Sequence, residues 1–200
     1  MSDGTHSGPT LVFSGLVLAA GHSRRMGTDK ALLEIDGQPL WQRQRDLLTA
    51  AGAREVLISA RAEQTWSTGL TVVRDDAPDC GPLGGIVAGL RAAQTDHLLV
   101  VAVDLPRLSL TWLRELIAAA DEQCGAVGRR AGGHFEPLAA IYPRRVLADF
   151  SAALATRQLA LQPLIAHAVQ RGHLRAITLD AKRQDELANW NAPTRPTPPA

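Results

Sequence analysis

The sequence predicts an α/β fold, and three observations carry that expectation. Short β-branched or leucine-rich runs alternate with longer amphipathic ones along the 200-residue chain, the pattern left by strands and helices packed in layers. The run "HLLVVAVD" (97–104) is apolar on both faces for about one strand's length, as suits a central parallel strand covered by helices on either side. Two later stretches repeat apolar residues at helical spacing: Leu110, Leu113, Leu116, Ile117 and Ala120 share one face, as do Leu161, Leu164, Ile165, Ala168 and Val169.

In order along the chain, "GLVLAAG" reads as a strand running into a glycine turn, "PLWQRQRDLLTAAG" as a helix, "EVLISA" and "LTVVRD" as strands, and "GPLGGIVAGLRAA" as a helix opened by glycine and proline. The central strand and the helix "SLTWLRELIAAA" follow, and "FEPLAAIYP" and "LRAITLD" supply further strands. No repeat of 20 to 50 residues is visible. The ends are rich in Gly, Ser, Thr and Pro and read as disordered tails over 1–12 and 193–200, leaving one domain over 13–192.

Composition narrows the function. A hydrophobic content of 46% suffices for a sizeable core. A net charge of +1, from 21 basic and 20 acidic residues, offers no whole-protein field for nucleic acid or an anionic membrane. The longest stretch without charged residues, 4–23, is broken by Gly, Ser, Thr, Pro and His and does not read as a membrane span. It lacks the basic start of a signal peptide, so a cytoplasmic location is expected. Cys80 and Cys124 are too few for a disulfide or metal framework and read as small buried hydrophobes.

Basic chemistry is therefore local, and it concentrates after the first strand. The turn "AAGHSRRMGTDK" is framed by Gly21 and Gly27, carries the Ser23 hydroxyl, and brings Arg24, Arg25 and Lys30 within seven residues. Glycines let backbone N–H groups approach an anion, and three cations suffice to face a triphosphate. Lys30 is one of only two lysines against nineteen arginines, and an ammonium meets a phosphate as a point charge where a guanidinium forks. The plainer reading is a solvated basic loop; the glycine frame and the preceding strand weigh against it. Neither G-x-x-x-x-G-K-[ST] nor G-x-G-x-x-G is present, so the turn is another kind of phosphate cradle.

Acidic residues mark other strand ends. Asp104 follows the central strand, at the edge where open α/β sheets bind ligands. A carboxylate there, opposite a phosphate loop, is what a Mg²⁺ shared with a nucleotide requires; the alternative is an aspartate that orders its loop. Asp75 and Asp76 end another strand ahead of Gly81, Pro82, Leu83, Gly84 and Gly85. One aspartate reads as a nucleoside contact. The glycines serve either a ligand's approach or close packing of helix on sheet. His22, His134, Glu136 and His173 form no evident cluster, and Ser59 lacks the glycines of a nucleophile elbow.

Taken together, "LVLAAGHSRRMGTDKALLEIDGQPL", "DDAPDCGPLGGIVAGL", "VVAVDLPRLS", "EPLAAIYP" and "LANWNAPTRP" resemble, in order, the motifs of the molybdenum cofactor guanylyltransferases. The resemblance implies a Rossmann-like three-layer α/β/α nucleotidyltransferase fold with a mostly parallel mixed sheet. It implies transfer of GMP from GTP to the terminal phosphate of molybdopterin, with Mg²⁺ as cofactor, pyrophosphate as product and molybdoenzyme-specific chaperones as further partners. Carried over by motif, Leu18, Ala19, Ala20 and Gly21 would contact guanine and ribose, with Asp75 and Gly81 completing the nucleotide site. Arg25 and Lys30 would meet the phosphates, Asp104 would bind Mg²⁺, and Asn189 and Asn191 would hold the pterin. Arg25, Lys30 and Asp104 would thus be the catalytic set. Ala20 departs from the first of the two glycines in the family's L-A-G-G and resembles the cytidylyltransferases, so CTP is the alternative nucleotide. "NAPTRP" departs from the family's N-T-P-E-D. The rival classes are a sugar-1-phosphate nucleotidyltransferase and a non-catalytic module that binds nucleotide or cofactor.

Overall fold

The computed structural model describes residues 11–21, 29–75 and 79–190. Most of both expected tails, the loop holding Arg25, and the positions Asp76 and Asn191 lie outside the described residues.

The strands are β1 (Ser14–Leu18), β2 (Glu34–Ile35), β3 (Gln38–Pro39), β4 (Val56–Ser59), β5 (Val72–Val73), β6 (His97–Ala102), β7 (Gly125–Arg129), β8 (Phe135–Pro143) and β9 (Leu174–Thr178). The helices are α1 (Leu40–Ala50), α2 (Gly81–Ala92), α3 (Leu110–Ala119), α4 (Leu147–Ala155), α5 (Leu161–Gln170) and α6 (Ala181–Glu186). Seven strands form one sheet in the order β5-β4-β1-β6-β8-β7-β9. Only β8 runs against its neighbours β6 and β7; the other pairings are parallel. At its middle Leu16 pairs with Leu57 on one side and Val100 on the other.

The period of two along each strand divides the interior. Leu98 and Val100 of β6 join Leu16, Leu83, Ile86, Leu90, Phe150 and Ile165 under α2, α4 and α5. Leu99 and Val101 join Val17, Leu40, Leu48, Trp112 and Leu116 under α1 and α3. All six residues of β6 are buried, so the sheet lies between two helical layers. This is the three-layer architecture, with the mostly parallel mixed sheet, that the sequence motifs imply.

Most sequence-derived elements appear, with instructive differences. The face expected on α3 omits Trp112, which is fully buried and donates its indole N–H to the Ala139 carbonyl at 3.3 Å. The α5 face is as spaced, with Ile165 and Ala168 innermost. Absent from the expectations are β7, whose "GAVGR" holds two glycines in five residues, and α4. So is the β2–β3 hairpin, whose Asp36 and Gly37 both adopt positive φ, 52° and 75°, as a type I′ turn requires. Cys80 and Cys124 are buried, and neither is joined in a disulfide among the described residues. No helix among the described residues is long and apolar enough to cross a membrane.

Candidate nucleotide site

Parallel strands all point their carboxyl ends to one edge, and a cavity of about 1000 Å³ opens there. Its wall is residues 18–21 after β1, Lys30, residues 59–63 after β4, Arg74 and Asp75 after β5, 79–82 with Gly85 at the start of α2, residues 102–104 after β6, and Leu138 of β8. The volume suits a nucleotide-sized ligand. Of the described residues expected to bind nucleotide, Leu18, Ala19, Ala20, Gly21, Lys30, Asp75, Gly81 and Asp104 all line it.

Lys30 and Asp104, 74 positions apart, meet with Nζ to Oδ2 at 3.4 Å. Both side chains are about four-fifths buried, at 23% and 22% exposure, where charges interact more strongly than in open water. Lys30 sits on a short 3-10 turn, Lys30–Leu32, whose cap is Asp29: its Oδ1 accepts from the Ala31 N–H at 3.0 Å. Lys30 Nζ also donates to the Trp190 carbonyl at 3.1 Å, and the Trp190 N–H donates to the Asp104 carbonyl at 2.9 Å. The chain after α6 therefore returns to the centre of the site. Asn189 precedes that contact by one residue; it is exposed and is not part of the cavity wall.

Helix α2 presents its first turn to the cavity. Gly81 holds φ at +58°, a conformation side chains rarely adopt. Asp75 lies over the next residues: a Cβ on Gly84 would stand 2.5 Å from its Oδ2. A Cβ on Gly85 would lie 2.7 Å from Leu18 Cδ2 and 2.8 Å from Ser59 Oγ. Close packing of helix on sheet is thus one use of these glycines, and it brings α2 beside the residues that line the cavity.

Sequence reasoning missed the turn after β4. Buried Gln64 donates from Nε2 to the Ala19 carbonyl at 3.0 Å and to Asp29 Oδ2 at 2.7 Å. Arg61 donates to the carbonyls of Ala20 and Gly21 at 2.5 and 2.7 Å. Trp66 Nε1 adds a third contact to the same Asp29 carboxylate at 2.8 Å, and its ring stacks on Trp41 at 5.4 Å. On the other flank, buried Gln44 of α1 donates to the Leu105 carbonyl at 2.8 Å, bracing the loop that carries Asp104. "ARAEQTW" has no glycine frame or motif to mark it. The one available signal was Asp29, adjacent to Lys30.

Two other polar residues differ in their place. Glu136 pairs with Arg130 at the β7–β8 hairpin, whereas Ser59, buried at the end of β4, belongs to the cavity wall. Among the described residues, no group of three His, Cys, Asp or Glu side chains is arranged to hold a metal unaided. The strand-end carboxylate of Asp104, facing a nucleotide-sized cavity whose wall also holds Asp75, does match the way Mg²⁺ is usually shared, with one or two carboxylates and the remaining ligands from phosphate and water.

Comparison with known proteins agrees with this geometry. A relative from Opitutus terrae named "Probable molybdenum cofactor guanylyltransferase" is 41% identical over 184 residues, covering 90% of this chain and 91% of its own. A "Molybdenum cofactor guanylyltransferase" from Xanthomonas euvesicatoria is 34% identical over 183 residues, covering 90% of each chain. Among solved structures, the molybdopterin-guanine dinucleotide biosynthesis protein A of Archaeoglobus fulgidus superposes with a TM-score of 0.68 at 20% identity, covering 90% of this chain and 93% of that one. The same fold recurs in a 2-C-methyl-D-erythritol 4-phosphate cytidylyltransferase from Thermus thermophilus, with a TM-score of 0.65 at 19% identity, covering 92% and 94%. The family model described as a MobA-like NTP transferase domain matches residues 15–187, a span that runs from β1 past α6 and holds every cavity-lining residue, so the chain belongs to the MobA-like NTP transferase family.

Proposed function

We propose that this nucleotidyltransferase moves GMP from GTP to the terminal phosphate of molybdopterin. A phosphate oxygen of the acceptor forms a bond to the α-phosphorus of GTP, the bond from that phosphorus to the β-phosphate oxygen breaks, and pyrophosphate leaves. The observation that carries the reading is the meeting of Lys30 with Asp104 at 3.4 Å inside a cavity that the end of β1 also lines. The names of the relatives identical at 41% and 34% support the choice of nucleotide and acceptor.

The chain's own groups do work that suits this reaction. Residues 18–21 form one wall against which base and ribose would rest. Lys30 would move from Asp104 and the Trp190 carbonyl to the triphosphate, countering charge where it builds on the leaving group. Asp104 would hold Mg²⁺, which when bound supplies charge neutralisation across the phosphates. The acceptor phosphate is already ionised at neutral pH and needs no general base. Orientation of two bound substrates is then the main catalytic resource. Arg25 and Asn191 would add a phosphate contact and a pterin contact, and Asn189 would meet the pterin at the rim.

A second reading, CTP in place of GTP, has one specific observation behind it. Ala20 lines the cavity and adds a methyl group where the guanylyltransferase motif has glycine. Incubating the purified protein with Mg²⁺, molybdopterin and each nucleotide separately decides between them. We expect pyrophosphate release and dinucleotide formation with GTP. Faster turnover with CTP overturns the choice of base, and binding without turnover supports the non-catalytic module.

A further inference from the structure

We infer that Gln64 is the positioning residue that couples the nucleotide-binding turn after β1 to the lysine that meets the phosphates, an inference that rests on the reading above. Gln64 is 4% exposed, and its side-chain amide is fully engaged. Its Oε1 accepts from the Arg61 N–H at 2.6 Å, which fixes the amide's orientation and turns Nε2 toward Ala19 and Asp29. One N–H of Nε2 goes to the Ala19 carbonyl, the other to Asp29 Oδ2. The first bond holds the turn that lines the nucleotide cavity. The second holds the aspartate that caps the Lys30 turn.

The consequence lies in the peptide planes. The carbonyls of Ala19, Ala20 and Gly21 all face the Gln64 and Arg61 side chains, and none of the described peptide bonds is cis. In a trans peptide the N–H points opposite to the C=O. Fixing the Ala19 and Ala20 carbonyls therefore turns the N–H groups of Ala20 and Gly21 away from Gln64 and Arg61, leaving them available to a ligand. Both partners of Nε2 are acceptors only, so no residue without a donor there can replace it. An isosteric carboxylate would set a third acceptor against a carbonyl and the Asp29 carboxylate.

The test is the affinity of the purified protein for GTP, and in a separate arm CTP, with Mg²⁺, measured by titration calorimetry without acceptor. Gln64→Glu keeps the shape and loses the donors; Gln64→Met keeps the bulk and loses both functions. Near pH 8 each is expected to raise the nucleotide Kd about tenfold or more, the scale of one lost buried hydrogen bond per bound element. Burial beside Asp29 raises the pKa of a glutamate at this position, so acidification to about pH 5.5 returns one donor and recovers about threefold or more in Kd for Gln64→Glu but not for Gln64→Met. That difference separates donor chemistry from packing. Thermal unfolding of each variant accompanies the titration. Either folded variant binding within about twofold of wild type near pH 8 overturns the inference, as does failure of both variants to fold, which would make Gln64 a folding residue. A wild-type protein that binds neither nucleotide overturns the functional reading itself.

Discussion

At the scale of the residue, Asp104 and Lys30 illustrate how a fold makes a site from chemically ordinary groups. Each is held from behind. Gln44 grips the loop after Asp104 through the Leu105 carbonyl, and Asp29 caps the turn that carries Lys30. Removing the Asp104 carboxylate leaves the core intact, because the side chain sits in the cavity wall and not between helix and sheet. Asp104→Ala is therefore expected to lower kcat by about 10²-fold or more, the scale of losing one charge-stabilising group, while its thermal midpoint stays close to wild type. Steady-state kinetics at limiting Mg²⁺ beside a melting curve check both halves, and unchanged turnover contradicts the metal role. Gln44→Leu tests the support for that carboxylate. It removes the bond to Leu105, and we expect reduced kcat with a stability change of about 1 kcal/mol, read from the same two measurements.

At the scale of the element, helix α2 couples packing to binding. Its Gly85 allows the helix to approach Leu18 and Ser59, two residues of the cavity wall. Gly85→Ala must push the Leu18 side chain or the whole helix outward, and overpacking of this kind costs about 1–3 kcal/mol. Denaturant unfolding should show that loss, accompanied by weaker nucleotide binding; an unaltered midpoint would argue that α2 is free to shift. The same helix shows where sequence was informative. Glycines and a proline after a strand identified its start, and helical spacing identified the α5 face, because both signals are local. Trp112 stands four residues before Leu116 and so shares the face of the stripe; it was missed on α3 because the aliphatic residues alone were used to define that face, while its indole N–H finds its partner in the Ala139 carbonyl of a distant strand. The β7 strand was missed because its two glycines weaken local strand character; its pairing with β8 and β9 supplies what the sequence lacks.

At the scale of the whole molecule, the parallel half of the sheet collects Leu18, Lys30, Asp75, Gly81 and Asp104 from five separate stretches. Motif order made these residues legible, since each sits at a strand end or helix start with a local signature. The Gln64 and Arg61 turn was not legible: its partners are 35 to 45 positions away, and neither glutamine nor arginine announces a bond to a carbonyl. A second global property concerns acid stability. His97 begins the central strand, is 2% exposed, and burial lowers its pKa below the ordinary 6.5. Its unfolded form binds a proton more readily than its folded form. The histidine's share of stability is thus fully present above about pH 6.5 and is lost as pH falls from there through the folded pKa. Urea midpoints should decline over that window, and His97→Gln should flatten the decline.

Guanylyl transfer is read out by pyrophosphate release from the purified protein supplied with Mg²⁺, molybdopterin and a single nucleotide. We expect release with GTP, a guanine dinucleotide product, and loss of both in Asp104→Ala. Pyrophosphate release with CTP alone, or nucleotide binding with no pyrophosphate at all, would rule out guanylyl transfer as the activity of this site.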